Sequence, residues 1–395
     1  MRLSFRGLPY GIWVLGFGSL FMDMSSELVH SLLPVFLTSV LGAGMVTIGV
    51  IEGTAEAAAA ITKVFSGALS DYLGRRKFLV VLGYGLAAVT KPVFPLATSA
   101  GWVFLARFVD RIGKGIRGAP RDALVADITP ARLRGAAYGL RQALDSVGAF
   151  AGPLLALAGM ALFHGDIEAV LWMAVLPACI AVALLALGVR EPETVTLQPR
   201  RRAPLRIADA RRLHWRFWLV VALGAVFSLA RFSEAFLVLR AQSVDLAVAY
   251  VPVVMVVMNA VYAVAAYPAG RAADSFSRRK LLLAGLAVLV LADLVLALAA
   301  KPWQVLAGAV LWGLHMALTQ GLLSKLVADT APELLRGTAF GIFNLVSGVA
   351  LLLASIIAGT LWQRVGVAAT FFAGAGFATA AAVGILAYRA KPRSA

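Results

Sequence analysis

The sequence predicts an all-α membrane protein of twelve transmembrane helices, arranged as two pseudo-symmetric six-helix bundles. Three observations carry this reading. The 395-residue chain is 61% hydrophobic and 14% charged, whereas soluble domains average about 25% charged residues. Twelve apolar stretches are long enough to cross a bilayer. Stretches of the first half recur in the second at a nearly constant offset, so both halves thread the membrane in the same direction.

The twelve stretches run over residues 10–40, 45–68, 78–95, 101–125, 136–161 and 169–189, then 217–240, 247–268, 281–299, 304–327, 337–361 and 367–389. Connections are short except at 190–216, where eight arginines and three prolines read as a cytoplasmic linker. The bundles therefore fall at 1–189 and 217–395. The first stretch starts near Tyr10 and lacks a small-residue cleavage site in the usual place, so it reads as a helix and not as a cleavable signal peptide.

Basic residues give the orientation. With the N-terminus inside, 23 of the 36 Lys and Arg fall in inner loops and termini, and only Arg240, Lys301 and Arg364 fall in outer loops. This asymmetry predicts both termini in the cytoplasm of a bacterial-type inner membrane. It also explains the net charge of +16 without a nucleic-acid partner. Ten basic residues remain within the spans, among them Lys63 and Lys91, which read as snorkelling from span ends.

Enzyme chemistry finds little support. His30, His164, His214 and His315 are scattered without metal-ligand spacing, so no metal is expected. Cys179 stands alone in an apolar run, which rules out an internal disulfide. The GKG at 113–115 lacks the GxxxxGK[ST] spacing of a phosphate loop. No Ser/His/Asp constellation is evident. We expect no enzyme activity and no cofactor.

Charge inside the spans is the main functional signal. The fourth stretch contains RFVDRIGKGIRGAPRD at 107–122, with Arg107, Asp110, Arg111, Lys114, Arg117, Arg121 and Asp122 within an arc of roughly 140° on a helix. Each charge at mid-bilayer costs roughly 2.5–3.5 kcal/mol, so this face must look into protein or water. Carboxylates stand ready on neighbouring stretches: Asp23 and Glu27, and Glu52 and Glu56, each spaced four apart, with Arg141 and Asp145 spaced likewise. Glu52 and Arg107 lie at similar depth, as do Glu56 and Arg111. We expect Glu27, Glu52, Glu56 and Asp110 to pair with Arg107, Arg111 and Arg141. A carboxylate that exchanges an arginine for a proton would couple transport to a proton gradient. A permanent structural network is the alternative. The inner half of the stretch, around Lys114 and Arg117, carries a surplus of positive charge that points to an anionic substrate or lipid.

The repeat and its motifs identify the family that the chain resembles. GALSDYLGRRK at 67–77 recurs as GRAADSFSRRK at 270–280, and LVADITPARLRGAAYG at 124–139 recurs as LVADTAPELLRGTAFG at 326–341. The first copy matches the GxLxDxxGRRK loop signature of the major facilitator superfamily at Gly67, Leu69, Asp71, Gly74, Arg75, Arg76 and Lys77. Physically, it is a glycine turn beside a charge cluster. The second copy has Ser277 where the first has Gly74. The fourth stretch resembles the family's RxxxGxG pattern at Arg107 and Gly113, with Asp110 and Arg111 as departures. Gly139, Gly148, Gly152 and Pro153 resemble the fifth-helix motif of its proton-antiporting branch, with Ala156 departing.

The resemblance implies transport of a small-molecule substrate by alternating access, driven by protons, in a monomer. It implies that the loop signature gates the inward opening and that Arg107 takes part in proton coupling. It also implies a cavity lined by the first, fourth, seventh and tenth helices. Substrate contacts on these are expected from Ser26, His30, Lys114, Arg117, Arg231, Phe232, Glu234, Trp312, His315 and Gln320. Export by antiport is the favoured direction. Proton symport of an anionic solute (an organic acid, phosphorylated compound or siderophore) is the second reading, and a non-transporting membrane receptor or scaffold is the third.

Overall fold

A chain surrounded by hydrocarbon has to satisfy its backbone hydrogen bonds internally, and the described parts of the twelve apolar stretches are mainly helical, with a break in the seventh. The computed structural model describes residues 7–190, 213–319, 322–332 and 335–387, without the side chains at positions 68, 71, 274, 275, 324, 336 and 337. Most of the 190–216 linker, Gln320 and the side chain of Asp71 therefore lie outside the described residues. No strand occurs among the described residues.

In the first half the helices are α1 (Tyr10–Val35), α2 (Met45–Leu73), α3 (Arg76–Thr90), α4 (Ala100–Ile128), α5 (Arg134–Leu162), and the pair α6 (Ile167–Trp172) and α7 (Val175–Gly188). The second half holds α8 (Trp215–Leu229), α9 (Ala235–Gln242), α10 (Val253–Ser275), α11 (Arg278–Leu298), α12 (Pro302–Thr319), α13 (Leu322–Thr330), α14 (Arg336–Arg364) and α15 (Val367–Ala387). Among the described residues, eight helical stretches combine spanning length with high hydropathy. The other four have local reasons: α3 is short, α4 carries the charge stripe, the seventh stretch is broken between α8 and α9, and α12 carries Gln304 and His315 in only 18 residues. After Pro34, α1 ends in a π-turn over Phe36–Val40, a common response to an interrupted hydrogen-bond ladder.

The repeat is visible as two equivalent locks. Arg76 at the start of α3 binds Asp127 at the end of α4, and Arg278 at the start of α11 binds Asp329 at the end of α13. Both partners shift by 202 residues. The turns before them differ. Gly74 ends α2 in the left-handed region at φ +62, a conformation that favours glycine. Ser277 instead caps α11, its side chain accepting from the Lys280 N–H.

The end of the molecule with these arginine turns is called the basic face below. Away from it, a single hydrophobic cluster joins both halves, uniting Leu32, Val35, Ile48 and Ile51 with Phe236, Leu237, Val251 and Met255. Two further clusters are each confined to one half: Ile12, Leu15, Tyr84 and Val125 in the first, and Phe217, Val221, Val327 and Phe343 in the second. On the far side α2 and α14 meet backbone to backbone. A Cβ on Gly49 would lie 2.2 Å from the Ser355 carbonyl oxygen, and one on Gly359 2.3 Å from that of Met45. The halves are thus closed away from the basic face, and a cavity lies between them toward it.

Candidate functional site

The cavity has a volume of about 600 Å³ and is lined by α1, α2, α4 and α5 from one half and by α10 and α14 from the other. The first-half wall is ionic. The second-half wall offers Tyr262, Asn344 and Leu351. Above the cavity, on the closed side, sits the most enclosed part of the charge network. Glu52 and Arg107 are each 1% exposed. Arg107 donates from Nε to Glu52 Oε1 at 3.1 Å and from Nη2 to Oε2 at 2.9 Å. This two-pronged geometry is the strong form of such a pair. His30 Nε2 approaches Glu52 Oε2 at 3.6 Å, and its Nδ1 lies 3.5 Å from Glu27.

Glu52 is also held from the opposite half. The seventh stretch breaks at 230–234, and Ser233 in that break donates its hydroxyl to Glu52 Oε2 at 3.3 Å. Ser233 Oγ in turn accepts from the Ala235 N–H, and the Ser233 N–H donates to Ser355 Oγ on α14. Freed backbone groups inside a membrane need such partners. One carboxylate therefore touches α4 and α1 of its own half and the broken helix of the other.

Along α4 toward the basic face the partners continue. Arg111 pairs with Glu56 at 3.0 Å. Arg121 donates to Ser19 Oγ at 2.8 Å and to Tyr84 Oη at 3.3 Å, and lies within 4 Å of Asp122 and Asp145. Arg141 binds Asp145 at 2.6 Å and approaches Asp122 at 3.7 Å. Arg117 stacks over the Tyr84 ring, 4.5 Å from its centroid.

Several sequence expectations are corrected. Asp110 pairs not with an arginine but with Lys91, whose Nζ donates to it at 2.9 Å and to Ser26 Oγ at 3.1 Å. Lys91 is 1% exposed and does not snorkel; it turns inward because α3 ends one residue before it. Ser26 accordingly serves this lysine. Glu27 pairs with His30 instead of an arginine. On the inner half of α4, Asp122 and Asp145 hold Arg121, while no ion pair within 4 Å holds Lys114 or Arg117 among the described residues. The seventh and tenth apolar stretches also depart from the expected lining: Trp312 and His315 on α12 are buried in the second half, the indole against Phe232 at 5.4 Å and the imidazole Nδ1 on the Gly285 carbonyl at 2.8 Å. Arg231 and Glu234 are half-buried in the helix break, and neither has an ion pair within 4 Å among the described residues. On α5, Gly148 and Gly152 press against α1, where added Cβ atoms would lie 2.4 Å from the Leu20 oxygen and 2.5 Å from the Met24 oxygen. Gly139 has open space. Gly148 and Gly152 thus pack α5 closely against α1 within one half.

Sequence reasoning missed Ser233, Tyr84 and the partner of Arg76. The last was detectable, because Arg76 and Asp127 both lie in repeated stretches. Tyr84 carried no such signal.

Comparison with known proteins places the chain. The family profile described as Major Facilitator Superfamily matches residues 15–258 and 235–395. An uncharacterized MFS-type transporter of Methanocaldococcus jannaschii is 31% identical over 364 residues, covering 91% of this chain and 90% of its own. The class C tetracycline resistance protein of Escherichia coli is 27% identical over 295 residues, covering 71% and 72%. Among solved structures, the nucleoside transporter NupG superposes with a TM-score of 0.79 at 14% identity, covering 95% of this chain and 99% of its own.

Proposed function

The chain belongs to the Major Facilitator Superfamily, and from that premise we propose that it is a proton-coupled secondary transporter that exports a small solute by alternating access. The observation that carries the reading is the position of Glu52. It is a deeply buried carboxylate in the bilayer interior, clamped by Arg107 of its own half and bonded to Ser233 of the other. Opening the far face separates α2 from α14 and takes Ser233 away from Glu52. Water then reaches a carboxylate that has lost one donor, and a proton can replace what was lost. Closing the far face reverses the exchange. Conformation and protonation are in this way linked at one group.

Glu27, His30, Glu56 and Arg111 extend the network from Glu52 toward the cavity and give a proton a route to the basic face, which the positive-inside rule assigns to the cytoplasm. The loop turn at Gly74, with Arg76 bound to Asp127, holds the basic ends of α2, α3 and α4 in one arrangement and serves as the gate on that side. Antiport is favoured by the fifth-helix glycines and by the similarity to a tetracycline resistance protein. The protein works as a monomer in this reading, since the cavity is complete within one chain.

Proteoliposomes with an imposed pH gradient test this, using a solute panel that includes tetracycline and small carboxylates. An antiporter accumulates its solute when the lumen is acidic, and a symporter when the exterior is. Flux of some solute that ignores the gradient in both directions sinks the proton coupling. Absence of any gradient-dependent flux favours a scaffold.

A further inference from the structure

We propose that the cargo of the cavity carries an oxyanion, a carboxylate or phosphate group, which is seated by Lys63, Lys114 and Arg117. The proposal deepens the transport reading and rests on it only for the word cargo. Ten ionisable residues line the cavity, five acidic and five basic. Six have partners within 4 Å: Arg121 and Arg141 with Asp122 and Asp145, Glu56 with Arg111, and Glu27 with His30. Four have none among the described residues: Lys63, Lys114, Arg117 and, alone among the five acids, Asp23. The unpaired set is two positive charges in excess.

All three cations line the same cavity, and Asp23 faces both Lys114 and Arg117. Lys114 and Gly118 lie four apart on one face of α4. The stem of Lys63, on α2, runs along Gly118, its carbons 3.7 to 3.8 Å from where a Cβ would stand. Arg117 precedes that glycine. Arg117 is 4% exposed, yet its Nη1 is buried without a hydrogen-bond partner. A buried unsatisfied guanidinium nitrogen is costly. Stacking on Tyr84 accounts for the face of the guanidinium but leaves that N–H unused. The ring is itself fixed, through its hydroxyl, by Ser19 and Arg121, so the donor is held ready before any ligand arrives. Lys114 is exposed to the cavity and faces Asp23, Glu27, Glu56 and Arg111. A carboxylate or phosphate offers several acceptor lone pairs and can take hydrogen bonds from Nη1 and an ammonium together. Asp23, which faces Lys114, Arg117, Arg121 and Asp145, trims three unpaired positive charges to two, which a phosphate group matches and a carboxylate halves. The opposite wall then meets the rest of the molecule with Tyr262, Asn344 and Leu351.

Equilibrium binding tests this without a gradient. The purified protein in lipid-free neutral detergent is titrated with citrate, benzoate or glucose 6-phosphate, against chloride at equal ionic strength, and its melting temperature is followed. At least one oxyanion is expected to raise it. Lys114→Gln and Arg117→Gln should weaken the apparent affinity more than about tenfold, the loss of one charge-assisted bond. Lys114→Arg should retain binding, and so should Lys301→Gln, which removes a charge far from the cavity. Silence from every oxyanion, or equal shifts in the wild type and in a well-folded Lys114→Gln, overturns the assignment. A shift with phosphatidylglycerol alone also overturns it, by making the group a lipid headgroup. An oxyanion that binds but shows no proton-driven flux would sink the transport reading and leave this inference standing. Proton-driven flux of neutral or cationic solutes with no oxyanion binding would do the opposite.

Discussion

Ser233 Oγ donates to Glu52 Oε2 at 3.3 Å, joining the broken helix of one half to the carboxylate that Arg107 clamps in the other. A bond across the junction of two moving bodies biases their equilibrium. A hydrogen bond to a charged group contributes about 1.5–3 kcal/mol. Ser233→Ala should therefore shift the population toward the far-face-open state by roughly tenfold or more. Maleimide labelling of an Ile48→Cys variant reads this, in a background where the exposed Cys179 is replaced by serine. Ile48 is fully buried in the cluster that joins the halves. Labelling should be faster with Ser233→Ala.

Removing one partner of the pair between Glu52 and Arg107 leaves an uncompensated charge in the protein interior, at a cost of about 3–5 kcal/mol. Arg107→Gln should lower the melting temperature strongly. Adding Glu52→Gln should recover much of the loss, because the double variant buries two amides and no charge. A double-mutant cycle on melting temperature measures the difference.

The pair between Lys91 and Asp110 should behave the same way in stability and differently in function. Lys91→Met should destabilise by about 3–5 kcal/mol, and Asp110→Asn in the same chain should restore folding. Neither residue lines the cavity or touches the second half. Gradient-dependent flux should persist in the double variant, which would mark this pair as structural.

Close packing between α1 and α5 discriminates among the glycines of the fifth-helix motif. Gly148→Ala forces a Cβ against the Leu20 oxygen and should cost about 1–3 kcal/mol. Gly139→Ala meets nothing within 4 Å and should be tolerated. Melting temperatures of the two variants check the contrast.

Much of the architecture was legible because a bilayer imposes one rule on every segment: long apolar stretches become helices. The repeat at 67–77 and 270–280 carried the two-fold organisation, and equal depth on neighbouring stretches put Glu52 with Arg107 and Glu56 with Arg111. Interior contacts were less legible. The break at 230–234 has neither proline nor glycine to announce it; it depends on Ser233 and Ser355, which are 122 residues apart. Lys91 looked like a span-end lysine because its partner, Asp110, becomes visible only when α3 and α4 are packed. Trp312 and His315 sit on a helix expected to face the cavity, but the aromatic packing around Phe232 draws them into the second half.

Glu52 links conformation to protonation, and neutralising it separates the two. Glu52→Gln is reconstituted, and two fluxes of the same solute are compared: exchange at equal pH, and accumulation driven by a pH gradient. The account predicts that exchange survives and gradient-driven accumulation is lost. Accumulation that still follows the gradient in this variant would contradict it.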